Sequence, residues 1–192
     1  MHLADAVRHR TWPNADARTL AALQIVVGSL VVAAGAQVAI PLPWTPVPVT
    51  GQTLGVLLVG AALGARKGTA ALVLYLAEGA AGLPFFAGGA AGAHVLLGPT
   101  GGYLMGFPLA AALVGFLAER GWDRRVFSTV AAMSLGTGVL FATGAAWLGY
   151  FVGSDRAVAL GVLPFLPGAA LKIGVAAAAL PLAWRWLGKR PA

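Results

Sequence analysis

The feature that most constrains this chain is a succession of long apolar runs that almost exclude charge. Six can be drawn, near residues 20–40, 49–65, 68–83, 100–118, 126–152 and 163–187. A helix needs roughly 20 apolar residues to cross a bilayer, so six helices with short connections nearly consume 192 residues. Soluble domains carry about 25% charged residues because their surface must be wetted. Here 10% of residues are charged and 59% are hydrophobic, with a mean hydropathy of +0.83. Lipid is the solvent that suits such a chain. The expectation is an all-α integral membrane protein, a compact bundle of six transmembrane helices spanning residues 20–187. Residues 1–19 and 188–192 would form short cytoplasmic ends.

Lys and Arg set the orientation, because cytoplasmic loops retain them. With the N-terminus inside, the inner segments hold Arg8, Arg10, Arg18, Arg66, Lys67, Arg120, Arg124, Arg125, Arg185, Lys189 and Arg190. The outer loops hold only Arg156. This bias, together with an even number of spans, places both termini in the cytoplasm of a multi-pass protein of a prokaryotic plasma membrane. The first 18 residues, MHLADAVRHRTWPNADAR, contain no signal-peptide core, so the first run reads as a signal anchor. Net charge is +7, but it sits in clusters between apolar runs, without the basic stripe that nucleic-acid binding needs. Cysteine is absent, which excludes disulfides and thiolate chemistry. The second and third runs, separated only by Arg66, Lys67 and Gly68, should form a tight hairpin.

Two outer segments look like lids. Residues 41–50, PLPWTPVPVT, contain four prolines, which forbid a helix and favour extended chain. Residues 84–101, PFFAGGAAGAHVLLGPTG, are apolar yet rich in glycine. At membrane depth such backbone must be buried in protein or line a cavity. Small residues four apart, at Gly60/Gly64, Gly64/Gly68, Gly102/Gly106 and Ser29/Ala33, allow close helix approach within the bundle or against another subunit.

Glu78 and Lys172 are the two ionisable groups clearly inside the runs. A charge there costs roughly 2.5–3.5 kcal/mol on insertion scales and so marks a candidate site. Topology puts both in the outer half at similar depth, either as a salt bridge between helices or as part of a ligand site. Thr50, Gln52, Thr53, Thr100 and Tyr103 lie near the outer mouth, with Trp44, Tyr75, Phe85 and Phe86 as apolar walls. Each also has a structural reading: Trp44 as an interfacial anchor, Phe85 and Phe86 as core, Thr50 as a helix cap. His2, His9 and His94 show no metal-ligand spacing, and no nucleophile elbow or nucleotide loop occurs. The chain is expected to bind rather than catalyse, and to need no cofactor.

The stretch from Ile40 to Gly121 resembles the biotin-specific S component (BioY family) of energy-coupling-factor transporters. The phrases that carry it are IPLPWTPVPVTGQTLGVLLVGAALGARKG, YLAEGAAGLPFFAGG and GPTGGYLMGF, followed later by LPFLPGAALK. The resemblance implies a six-helix subunit that binds biotin at its outer face. It would dock on a transmembrane coupling protein driven by two cytoplasmic ATPases, and topple in the bilayer to deliver its substrate. Small residues on the first helices form the family's docking surface, for which Ser29/Ala33 is the nearest equivalent. One departure stands out: the family usually has an acid where this chain has Ala169, three residues before Lys172. Glu78 is a candidate to replace it. Lys172 could pair with the biotin carboxylate, or donate to the ureido oxygen while Glu78 accepts from an N–H.

The substrate-binding set is therefore Lys172, Glu78, Gln52, Tyr103, Thr50, Trp44 and Phe85. The competing readings are an S component for another vitamin, such as riboflavin or thiamine, and a non-transporting membrane scaffold. With no nucleotide loop, the purified chain is expected to show no ATP hydrolysis above a protein-free control in a phosphate-release assay. Sustained turnover by the chain alone would overturn the binding-subunit reading.

Overall fold

The computed structural model describes residues 2–4 and 16–188; expectations for the remaining end residues, among them Arg8, Arg10, Lys189 and Arg190, lie outside the described residues. Helix α1 (Ala17–Gln37) begins where Asp16 caps it, accepting from the Thr19 amide and hydroxyl at 2.8 Å each. Gly28, Ser29, Val32, Ala33 and Ala36 form its buried stripe. Leu23, Val27, Leu30 and Val31 on its other face are exposed, as befits a helix bathed in lipid.

The helix stops at Gln37 because the prolines begin. Strands β1 (Ala39–Leu42) and β2 (Thr45–Thr50) pair antiparallel, with Ala39 opposite Thr50, Ile40 opposite Val49 and Leu42 opposite Thr45. The fold is thus not purely helical, and the ends drawn at 40 and 49 both fall in this hairpin. Extended chain was expected here, but not its pairing into a sheet. Proline cannot donate to a sheet ladder, yet each strand of a two-stranded sheet has an open edge.

Helix α2 (Gln52–Ala80) is two arms folded back on each other at Gly64, whose φ of 79° and ψ of 176° interrupt it. The Gln52 amide reaches the Tyr75 hydroxyl; an unbroken helix would hold these residues about 35 Å apart. The hairpin expected between the second and third runs is present. Its turn lies at Gly64 rather than at Arg66–Gly68, because only glycine takes that positive φ without strain. Glu119 then accepts from the Ala65 amide at 2.8 Å, placing a carboxylate at the start of the second arm, where the helix dipole favours it.

Residues 81–100 contain a 3-10 turn (Ala87–Gly89) and the one-turn helix α3 (His94–Leu97). Helix α4 (Gly101–Glu119) is the most enclosed. Glycines let it in: a Cβ on Gly60 would lie 2.8 Å from the Ala111 carbonyl oxygen, and one on Gly115 2.4 Å from the Ala65 amide. On its other side Gly102 and Gly106 meet Trp147 and Thr143 of α5 (Val126–Val152). Helix α6 (Ser154–Gly161), which the hydropathy runs did not reveal, returns the chain to α7 (Leu166–Gly188). Five of these stretches, with α6 to α7 taken as one, are long and apolar enough to cross a membrane among the described residues.

Ser29 and Ala33 are 0% and 5% exposed. They pack inside the bundle, where Val32 of the same stripe meets Gly55, and so cannot present a docking face in this structure. The reason is register: the small residues that allow close approach are spent on α2.

Helix α7 buries little beyond Ala176, Ala177 and Leu180, while Leu171, Leu182 and Trp186 are exposed. A polar tie holds its far end. Trp184 Nε1 donates to Asp123 Oδ2 at 2.6 Å, and the Arg124 guanidinium lies 4.6 Å over the Trp184 ring. Asp123 is 1% exposed and its Oδ1 has no hydrogen-bond partner. Burial pushes its carboxyl above the usual range, while the Trp184 hydrogen bond and the Arg124 charge act partly the other way. A carboxyl raised in the folded state stabilises the fold below its unfolded pKa of about 3.9, and this is lost as pH rises through the folded value. Asp123→Asn keeps an acceptor for Trp184 and has no charge to desolvate. In detergent it is expected to melt at or above the wild-type temperature at pH 7, the difference closing toward pH 4. A variant destabilised equally at both pH values would show that the carboxylate is charged and paired.

Candidate functional site

The hairpin, the first turn of α2, residues 86–90, the start of α4, the middle of α5 and the start of α7 enclose a cavity of about 260 Å³. The backbone conditions noted above explain why they meet. The Gly64 reversal brings Gln52 beside Tyr75, and the α4 glycines draw Tyr103 and Phe107 against α2 and α5. Leu57, Phe86, Val95, Leu104, Phe107, Leu140, Phe141 and Phe165 supply apolar walls. Thr50, Gln52, Thr53, Thr100, Tyr103, Thr137 and Lys172 supply the polar groups. An apolar chamber with a few placed donors and acceptors is the usual make-up of a small-molecule site.

Among the described residues, Lys172 is the only charged one on the wall. Its ammonium donates to the Thr50 carbonyl oxygen at 2.6 Å and to Thr53 Oγ1 at 2.7 Å. Two of its three N–H groups are used, which leaves one for an oxygen inside the cavity. The contact also ties the near end of α7 to the β2–α2 junction. Next to it runs a polar chain. Thr50 Oγ1 donates to Gln52 Oε1 at 2.9 Å, Gln52 Nε2 donates to the Tyr75 hydroxyl, and that hydroxyl donates to the Phe85 carbonyl at 3.0 Å. The Tyr103 hydroxyl donates to the Gly161 carbonyl, so this side chain offers the cavity mainly its ring.

Of the residues expected from sequence, Thr50, Gln52, Thr53, Phe86, Thr100, Tyr103 and Lys172 line this one cavity. Trp44 does not; it sits at the hairpin turn, 60% exposed. Phe85 is half-buried against the core, and its neighbour Phe86, 1% exposed, faces the cavity instead. Glu78 is also outside the lining, and Lys172 gives its protons to Thr50 and Thr53 rather than to Glu78. Helical rotation explains this. Gly79 is the position that abuts the Phe86 ring, and Glu78, one residue earlier, points about 100° away. One of its carboxylate oxygens is buried without a partner. The direct salt bridge between these two charges is not formed in this structure.

Sequence reasoning missed Leu57, Phe107, Thr137, Phe141 and Phe165. When the surrounding solvent is itself apolar, hydropathy carries no contrast between lipid-facing and cavity-facing positions, so the apolar ones gave no signal, whether inside helices or, like Phe165, in the turn before α7. Thr137 was marked only by its hydroxyl within an apolar run. Ala169, the position noted for its lack of an acid, does line the cavity.

Comparison with known proteins agrees with this architecture. The model of the BioY family matches residues 8–189. A biotin transporter BioY of Thermotoga maritima is 42% identical over 145 residues, which is 74% of this chain and 83% of that protein. A biotin transporter BioY of Rhizobium etli is 37% identical over 163 residues, 81% of this chain and 87% of the relative. The solved S-component for biotin from an ECF-type ABC transporter superposes with a TM-score of 0.79 at 23% identity, covering 88% of this chain and 92% of that one. A family match along nearly the whole chain, relatives well above 30% identity and a shared fold lead to one conclusion: this chain belongs to the BioY family.

Proposed function

We propose that this chain is the substrate-binding membrane subunit of a biotin uptake system, with the cavity beneath the hairpin as its biotin site. The observation that carries the reading is one lysine with an uncommitted N–H on the wall of a mainly apolar chamber that holds a few other polar groups. Biotin has matching chemistry: a carboxylate, a ureido group with two donors and one acceptor, and an apolar bicycle and chain. Lys172, Gln52, Thr50 and Tyr103 are the residues proposed to meet it. Delivery would be driven by a transmembrane coupling protein and cytoplasmic ATPases, since the chain has no nucleotide loop of its own.

The proposed topology is six spans with both termini cytoplasmic. The two arms of α2 count as separate, short spans. Lysine and arginine support this: Lys67 and Arg124 lie at the Gly64 end of the bundle, and the cavity lies at the other. Single cysteines at Ala15, Ala90 and Ala192 in this cysteine-free chain are expected to react with an impermeant thiol reagent in intact cells only at position 90. Labelling at either terminus would reverse the orientation.

Lys172→Met keeps much of the stem volume and removes the charge and the donors. A charge-assisted hydrogen bond is worth roughly 1.5–3 kcal/mol, or about 10- to 150-fold in affinity. The variant is expected to weaken biotin binding by that factor in an equilibrium titration while it still purifies as a single species. Wild-type affinity in Lys172→Met would move the site away from this cavity.

A further inference from the structure

We propose that Tyr75, which does not line the cavity, is a positioning residue for it: its hydroxyl fixes the amide of Gln52 in one orientation and holds the segment around Phe85 and Phe86 down over the site. This rests on the cavity being the biotin site, as proposed above.

The direction of the polar chain is forced from one end. The Phe85 carbonyl can only accept, so the Tyr75 hydroxyl, 3.0 Å away, donates to it. That hydroxyl has spent its one proton and must accept from its other neighbour, the Gln52 side chain. Only the NH₂ end of that amide can donate. The oxygen therefore faces Thr50, whose hydroxyl donates to it at 2.9 Å. Reversing Gln52 would set its oxygen against the Tyr75 oxygen with no proton between them.

Burial makes the constraint costly to break. Gln52 is 5% exposed and Tyr75 0%, and an unsatisfied buried polar group costs more than its hydrogen bond contributed. Gln52 also lines the cavity, so a fixed amide presents its remaining N–H and its second lone pair at fixed positions. A ureido group sets an N–H beside its C=O, so in a given pose its edge matches only one of the two amide orientations. The ring of Tyr75 acts in the same way on the walls. It meets Phe86 edge-on at 5.7 Å and stacks on Phe107 at 6.2 Å, and both of these face the cavity. One side chain thus sets a polar group, two walls and the backbone of the covering segment.

The test uses the full chain in detergent, with three variants and two readouts. Tyr75→Phe removes one oxygen and leaves the ring packing. It is expected to raise the biotin Kd about tenfold, the loss of a buried hydrogen bond and its orienting effect. In a Gln52→Met background the same change should add little, because Tyr75 acts through Gln52 and coupled residues are not additive. Without biotin, a cysteine at Leu104, which is on the cavity wall and only 4% exposed, should be modified several-fold faster when Tyr75→Phe releases the Phe85 carbonyl. If Tyr75→Phe lowers the melting temperature but leaves both the Kd and the labelling rate unchanged, Tyr75 is structural and the proposal fails. It fails equally if the losses from Tyr75→Phe and Gln52→Met simply add. Should wild type bind no biotin, the biotin site is refuted, and the labelling rate alone decides whether Tyr75 holds the covering segment.

Discussion

Close backbone contact between glycines is the constraint from which the rest of this structure follows. In a bilayer, lipid tails are as apolar as leucine, so helices gain little by hiding apolar side chains from their surroundings; fit and hydrogen bonding hold them together. Here α2 folds at Gly64 so tightly that a Cβ on Gly68 would lie 3.1 Å from the Gly60 Cα, and α4 presses Gly115 onto the same turn. These contacts seat both arms of α2 against α4 without room for a methyl group. Overfilling a packed interior typically costs about 1–3 kcal/mol, and here the obstruction is backbone, which cannot rotate aside. The cavity lies at the opposite end, where Phe86, Tyr103 and Phe107 are among its walls.

The polar groups at that end serve two purposes at once. Lys172 is the candidate ligand donor and also a tether of α7, a helix with little buried surface between its two ties. The tether at Trp184 and Asp123 lies at the other end of the same helix. Gln52 likewise belongs to the cavity wall and to the polar chain reaching Phe85. A group that changes partner when a ligand arrives would therefore shift the balance of a whole element as well as a local contact.

Much of this was legible in the sequence, for reasons that can be located. Charge excluded from long runs identified the membrane; prolines at 41, 43, 46 and 48 identified extended chain, and glycine-rich apolar residues 84–101 a covering segment. Lys172 stood out because a lone charge in lipid needs a purpose. The failures share one cause. Which way a side chain faces depends on helix rotation, and hydropathy reports rotation only when one side is wet. In this structure Glu78 lies a single residue of rotation from Gly79, which abuts Phe86, and Phe85 lies one residue from that cavity wall. Ser29 and Ala33 left packing within the bundle and docking against another subunit both open, because small residues suit inward and outward contacts alike; here they pack inward. The turn at Gly64 was set two residues late because Arg66 and Lys67 looked like the loop, although they already lie within the second arm.

The prolines of the hairpin have a consequence of another kind. A two-stranded ribbon has two open margins, and bare margins invite pairing with the same ribbon on a neighbouring molecule. Copies of a membrane protein share one plane and one orientation, so their ribbons lie at the same height and meet often. With Pro41 in β1 and Pro46 and Pro48 in β2, these strands lack amide protons at three of their ten positions. A neighbour seeking to extend the sheet finds a broken ladder. The same residues that shape the cover of the cavity thus keep adjacent molecules from zipping together across it.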